Sequence, residues 1–221
     1  MKFGMAAHIT IIESAHPAFP AALQDGALLG PVSRVWAMGN LEILHTRLLG
    51  FFCTTRCPGN VILRTYDLAQ ALRAASISVI GGFHTPMEKE CLDLLLRGAQ
   101  PVVICPARGI DRMRLPVEWR RPVQEKRMLI FSPFGAQQRR VTAALAEQRN
   151  RFVATLADDI FVAHTSSGSK TAQLCVELIA QGGQVNTLNL AENAHLMQRG
   201  ALGNAPSELV DSLALRHQRR S

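Results

Sequence analysis

The sequence predicts an α/β protein, a doubly wound and mostly parallel sheet of Rossmann-like kind in three layers. Three observations carry this expectation. Short apolar runs recur at Leu49 to Cys53, Ile77 to Ile80, Val102 to Cys105, Met128 to Phe131, Ile160 to Ala163 and Val185 to Leu188. Between them lie segments of helical period, roughly 61–75, 88–98, 117–126, 138–156 and 170–181. The runs are apolar throughout rather than alternating, as in strands covered on both faces. Strand and helix alternation of this kind requires parallel pairing through right-handed crossovers.

Taken in order, residues 1–45 read as an N-terminal extension or entry segment. Pro17, Pro20 and Pro31 with scattered apolar residues suggest a loosely structured lead-in holding at most one short helix. Residues 46–190 form the Rossmann-like domain. In its fourth helical segment Val141, Leu145, Phe152 and Leu156 keep one face apolar while Arg139, Arg140, Glu147 and Arg149 occupy the other. Residues 191–221 read as short helices and a basic tail, Arg216, His217, Gln218, Arg219 and Arg220.

A chain of 221 residues that is 48% hydrophobic and 19% charged has room for one sizeable core, which excludes a disordered protein. Its formal charge of +7 is unevenly placed. Residues 108–151 hold eleven basic and four acidic side chains, so the whole excess lies in that segment. Composition leaves two accounts of this block open: an anionic partner met by Arg through planar bidentate contacts, or Arg-rich coding that yields a solvated basic face.

The five cysteines form no CxxC pair and have no histidine at zinc spacing, so they read as buried thiols of a reducing compartment. A metal at Cys53 and Cys57 lacks two further ligands, and neither metal nor cofactor is expected. Met1 to Thr10 does not have the form of a signal peptide, and no run approaches the ~18 apolar residues of a membrane span. The expectation is a soluble, cytoplasmic protein.

In a doubly wound sheet, ligands bind where strand ends and helix N-termini converge at the carboxyl edge. The loops there supply the candidate site. After the first run, Thr55 and Arg56 precede Pro58 and Gly59, a helix start suited to a phosphate or to an ordinary Thr cap. After the second, Gly81 and Gly82 permit close backbone approach, Phe83 and His84 offer an exposed pair for base stacking, and Thr85 with Glu88 forms a capping box. Arg149, Asn150 and Arg151 stand ahead of the fifth run. After it come Ser167, Gly168, Ser169, Lys170 and Thr171. These last residues lack the first glycine of a P-loop but retain helix-opening amides for one anion.

At these residues the chain resembles the DprA/Smf family of DNA-processing proteins. Thr54, Thr55 and Arg56 stand where the family has Gly-Ser-Arg. Arg149-Asn150-Arg151 matches its Arg-Asn-Arg outright, with Thr155 to Asp158 following, and Ser167 to Ala172 matches its Ser-Gly-Ser-x-Thr-Ala loop. Phe134-Gly135, and His16 to Pro20 with Gly39-Asn40, resemble further family segments, so the likeness spans about residues 15–190. The chain departs from the family in its second loop, Gly81 to Glu88, which lacks an Arg. Ala107 to Asp111 carries a similar string one strand later and is read as coincidence, and neither a winged-helix domain nor a complete N-terminal helical domain is visible. The resemblance implies non-catalytic binding of single-stranded DNA, a homodimer, and delivery of DNA to a RecA-type recombinase, with no membrane association.

The alternative is a nucleotide-binding or phosphoribohydrolase-like protein. Gln173 and Leu174 stand where that chemistry needs a carboxylate, and Glu88 and Glu177 are poor substitutes, so hydrolysis is disfavoured while nucleotide binding survives. A dinucleotide oxidoreductase lacks Gly-x-Gly-x-x-Gly after the first run.

Overall fold

The computed structural model describes residues 8–218, with side-chain surroundings to 216; Met1 to Ala7, Arg219, Arg220 and Ser221 lie outside the described residues. Nine strands form one sheet: β1 (Thr10–Glu13), β2 (Arg34–Gly39), β3 (Leu49–Phe52), β4 (Val79–Gly81), β5 (Val102–Ile104), β6 (Met128–Ser132), β7 (Asp159–Val162), β8 (Val185–Leu188) and β9 (Leu202–Asn204). Their order across the sheet is β1-β2-β6-β5-β4-β3-β7-β8-β9. From β6 to β9 every pair is parallel, and β2 and β1 add antiparallel at one edge.

The six apolar runs become β3 to β8, each buried along its whole length. Two apolar layers account for this. On one face α1 (Gly59–Ala74), α2 (Pro86–Leu95), α3 (Val117–Gln124) and α7 (Pro206–Gln218) cover Leu49, Phe51, Val79 and Val102. On the other, α4 (Ala143–Leu156), α5 (Lys170–Ala180) and the short α6 (Ala194–Met197) cover Phe52, Ile80, Val103 and Phe131, together with Phe19 and Leu23 of the entry segment. Successive strand residues point to opposite faces, so each strand serves both layers.

The expectation of a loose lead-in needs correction, because residues 10–13 and 34–39 are β1 and β2. Thr10 pairs with Ala37, and Trp36 with Ser132. β1 buries only Ile12 of its four residues, and an edge strand that short carries no readable alternation. β9 escapes notice in the same way, with three residues and a glycine at its centre.

At the amino end of the sheet, Asp159 of β7 is buried and holds two guanidinium groups. Arg47 contacts its Oδ2 through Nε and Nη2 at 3.0 Å, and Arg216 of α7 lies 3.3 Å from Oδ1. This triad fixes the last helix to the central strands. No helix of the described residues is long and apolar enough to cross a membrane.

Candidate nucleic-acid interface

The chain leaves β3 for β4, β5 and β6 on one side and returns to β7, β8 and β9 on the other. β3 and β7 are parallel neighbours, so the switch point lies between their carboxyl ends. The loop after β3 meets the loop after β7 directly, where Thr54 donates its N–H to His164 O at 3.1 Å. Thr54 Oγ1 donates to Arg56 O at 3.0 Å and tightens the turn. Thr55 and Arg56 are exposed. The cap of α1 is Pro58, which has no side-chain acceptor to offer, so the expected Thr cap is not used. The amides of Gly59 and Asn60 are thereby left to solvent or to an anion beside Arg56, while Val61 N donates to Asn60 Oδ1 at 2.9 Å.

Glu88 builds the second loop. It is the third residue of α2, and its carboxylate does more than close the capping box with Thr85. One oxygen accepts from His84 N at 2.8 Å and Thr85 N at 3.1 Å; the other crosses to accept from Cys53 N at 2.9 Å. A single buried carboxylate therefore clamps the first and second loops together. Glu88→Gln keeps the size but turns one acceptor into a donor facing backbone N–H groups. An unsatisfied buried N–H costs about 1–3 kcal/mol, and a loss of that order in urea denaturation is expected. Unchanged stability would show that the clamp is dispensable.

Beneath the second loop runs Arg149 of α4, 5% exposed. Its Nε donates to Asn150 Oδ1 at 2.8 Å and its Nη1 to Cys105 O at 3.2 Å. No carboxylate lies within ion-pairing distance of it among the described residues. Burial pulls the guanidinium below its ordinary pKa, and Glu88 and Cys105 oppose the shift from a distance. Gly82 is the condition for this placement, because a Cβ there would stand 1.5 Å from Arg149 Nη1. Asn150 thus orients Arg149, a role its sequence position did not disclose.

The structure separates the remaining expected residues. Phe83 is not an exposed platform: it is 5% exposed, has φ +45° and stacks on Phe51 with centroids 6.4 Å apart, while His84 beside it stays exposed. The strand end turns so sharply that the aromatic ring drops into the core. Arg151 points to the other layer, where Nη1 and Nη2 hold the two carboxylate oxygens of Glu177 at 2.5 and 3.0 Å and Nη1 also donates to Leu28 O. Two positions along α4 separate it from Arg149, about 200° around the helix, so the two cannot share a phosphate. Ser169 is the cap of α5, accepting from Ala172 N, and its hydroxyl lies 2.6 Å from that of Thr165. Ser167 and Gly168 are exposed at the loop tip, Thr171 is half-buried, and Lys170 reaches Glu147 at 3.8 Å.

The loops after β5 and β6 bring residues that the sequence reading set aside. Ser132 Oγ donates to Arg108 O at 2.9 Å, and Gly109 N donates to Gln138 O at 2.8 Å, folding the two loops onto each other. A Cβ at Gly109 would meet Gly135 O at 2.4 Å, so only glycine permits this contact. Arg108, Arg112, Arg139 and Arg140 are exposed on these loops, at the same sheet edge as Arg56. The usable signal was the strand ends at Ile104 and Ser132, which place the following loops at the carboxyl edge whatever their motif. By contrast Arg121 and Arg127, in and just after α3, both bond Glu125 at 2.6 and 2.7 Å, at the opposite end of the sheet. The basic block thus divides between the two edges.

Comparison with known proteins follows the same line. A family model described as DNA recombination-mediator protein A matches residues 10–209. The fold is similar to that of DNA processing protein A from Streptococcus pneumoniae, with 16% identity and a TM-score of 0.76 over 92% of this chain and 74% of that one. It is equally similar to DNA processing protein A from Helicobacter pylori, a structure reported for its single-stranded DNA binding mode: 16% identity, TM-score 0.76, 96% of this chain and 98% of that one. The molybdenum cofactor carrier protein from Chlamydomonas reinhardtii is more distant, with 9% identity and a TM-score of 0.52 over 79% of this chain and 99% of that one. At these identities the solved structures establish the fold alone. No curated protein matches the chain.

Proposed function

The chain belongs to the DNA recombination-mediator protein A family, and from that premise we propose that it binds single-stranded DNA without catalysis along the carboxyl edge of its sheet. The observation that carries this reading is Arg149, a buried guanidinium at the carboxyl ends of β4 and β5 with a carbonyl and an amide as its partners and no carboxylate. A phosphate at the mouth of that pocket supplies the missing counter-charge, and Arg56 with the first amides of α1 faces it from the other side. Arg108, Arg112, Arg139 and Arg140 continue the path across β5 and β6, while Ser167, Gly168 and Lys170 border it beyond β7. The family is one of non-catalytic DNA-processing proteins. The two carboxylates that could substitute for the acid missing at Gln173 and Leu174 are occupied, Glu88 by three backbone N–H groups and Glu177 by Arg151.

With Phe83 in the core, the expected aromatic pair is reduced to the exposed His84, so affinity is led by the backbone charges rather than by base stacking. Titration of a labelled oligonucleotide across salt concentrations is expected to show a steep decline, and each lost phosphate contact lowers the slope by about 0.7 on a double-logarithmic plot. Arg56→Ala and Arg108→Ala are each expected to do so. If neither Arg56→Ala nor Arg149→Ala weakens binding, the groove is misplaced. Full competition by a free nucleotide would reassign the ligand. The same reading has the protein acting as a homodimer that passes the strand to a RecA-type recombinase, tested by sedimentation and by pull-down of that recombinase.

A further inference from the structure

We propose that the groove between α5 and α6 is a nucleobase site, which seats one base of the strand whose phosphates follow the carboxyl edge. That the base belongs to a strand rests on the reading above; the fit of the groove to a nucleobase does not. Both helices begin at that edge, α5 after the loop that follows β7 and α6 after the turn that follows β8. The groove between them therefore runs down from the edge, and Ser167 and Gly168, which border the path of the strand, form its mouth.

The groove encloses about 430 Å³, within the range of sites for small organic ligands. α5 lines it with one face of its first two turns. Ala172 and Val176 make that face apolar, and Gln173 and Glu177, each one residue further on, flank it with polar groups. His195 of α6 and Arg199 just beyond it stand opposite. An apolar floor with donors and acceptors around it complements a flat ring whose faces are apolar and whose edge is polar, which is the form of a nucleobase.

The polar groups are open to such a ring. Gln173 donates one N–H to Gly168 O at 3.2 Å, which leaves its carbonyl and its second N–H. His195 Nε2 is buried with no hydrogen-bond partner among the described residues, a costly condition that a polar ligand edge relieves. Arg199 is exposed and ion-pairs with no carboxylate among the described residues. Glu177 is oriented by its two bonds from Arg151, and each of its oxygens retains a further lone pair.

The wall opposite α5 is tied to the switch point. Asn193, directly ahead of α6, donates to Ala163 O at 2.9 Å, and its Oδ1 lies 3.0 Å from His164 Nδ1. Glu192 beside it accepts from Asn60 Nδ2 of α1 at 2.7 Å. His164 is also the residue whose carbonyl accepts from Thr54 N, and its ring meets that of His195 edge-on with centroids 6.4 Å apart. The groove, the loop after β7 and the loop that carries Arg56 thus form one hydrogen-bonded unit, and a site fixed in advance loses little by ordering on binding.

The full chain is titrated with a labelled mixed-sequence oligonucleotide, with an abasic strand bearing the same number of phosphates, and with nucleoside monophosphates. Amide hydrogen exchange is followed over residues 167–177 and 194–200. The natural strand is expected to bind about tenfold more tightly than the abasic one, as for one hydrogen-bonded base, with the same salt slope, and to slow exchange in both walls where the abasic strand does not. Val176→Trp, which fills the groove, and Gln173→Ala, which removes an exposed polar group, should each reduce that difference. Monophosphates that protect both walls, and that the oligonucleotide does not displace, support the nucleobase site with a free nucleotide as its source. The proposal is overturned if neither the natural strand nor the monophosphates slow exchange in the two walls, or if Val176→Trp leaves the preference for the natural strand at its full size. An oligonucleotide that fails to bind, beside monophosphates that protect the groove, overturns the DNA reading alone.

Discussion

Gly82→Ala is expected to weaken single-stranded DNA binding by about 10- to 100-fold, the 1.5–3 kcal/mol of one charged hydrogen-bonded contact, although it changes no charge and touches no DNA. The added Cβ would stand 1.5 Å from Arg149 Nη1 and 2.0 Å from Cζ. A surface arginine would swing aside at little cost. Arg149 is held between Asn150 Oδ1 and Cys105 O in a space that is 5% exposed, so giving way means leaving the pocket. Arg149→Ala should lose a similar amount, and the double variant should bind no worse than Arg149→Ala, because the alanine at 82 then has nothing to displace. Measured by oligonucleotide titration at one fixed salt concentration, losses that simply add would show that Gly82 acts through something other than Arg149. Wild-type affinity in Gly82→Ala would show that the buried guanidinium does not contribute to the site.

That pairing also marks how far the sequence could be read. Strands β3 to β8 were legible because a strand covered on both faces must be apolar at every position, a pattern that needs no partner to recognise. β1 and β9 were not, since an edge strand of three or four residues buries one side chain or none. The same limit governs the site. Arg56 was proposed from its loop and Arg149 from its motif, but a motif gives residues in order and not their directions. Arg149 and Arg151 look equivalent in Arg-Asn-Arg, yet one enters the pocket under Gly82 and the other ion-pairs with Glu177 in the opposite layer. Phe83 was read as exposed because its loop falls at the carboxyl edge of the sheet, and its positive φ, which turns the ring inward, is invisible in composition. Glu88 was recognised as a cap through local spacing, while its bond to Cys53 N spans 35 residues. Long-range contacts of this kind depend on the packed sheet and have no local signature.

At the other end of the sheet, Asp159→Ala is expected to cost about 3–5 kcal/mol of folding stability, the effect of removing one partner of a buried ion pair. The substitution leaves more than a cavity. Arg47 and Arg216 are 20% and 26% exposed, and both aim at the carboxylate that disappears. Arg216 Nε is already buried without an acceptor among the described residues, so its guanidinium has little to fall back on there except Ser212 Oγ. The asymmetry of the triad gives the discriminating control. Arg216→Leu removes a charge and retains apolar contact on α7, while Asp159 keeps both bonds from Arg47, so its cost should be well under half that of Asp159→Ala. A domain of this size has a total stability of about 5–15 kcal/mol, which makes the Asp159 loss large enough to read in urea denaturation and in proteolysis of α7. The carboxyl edge lies at the far ends of the same strands and shares no side chain with the triad, so folded Asp159→Ala should bind the oligonucleotide with wild-type salt dependence. Equal losses for Asp159→Ala and Arg216→Leu would mean that α7 is held by its apolar face, Leu209, Val210 and Leu213, rather than by the buried carboxylate.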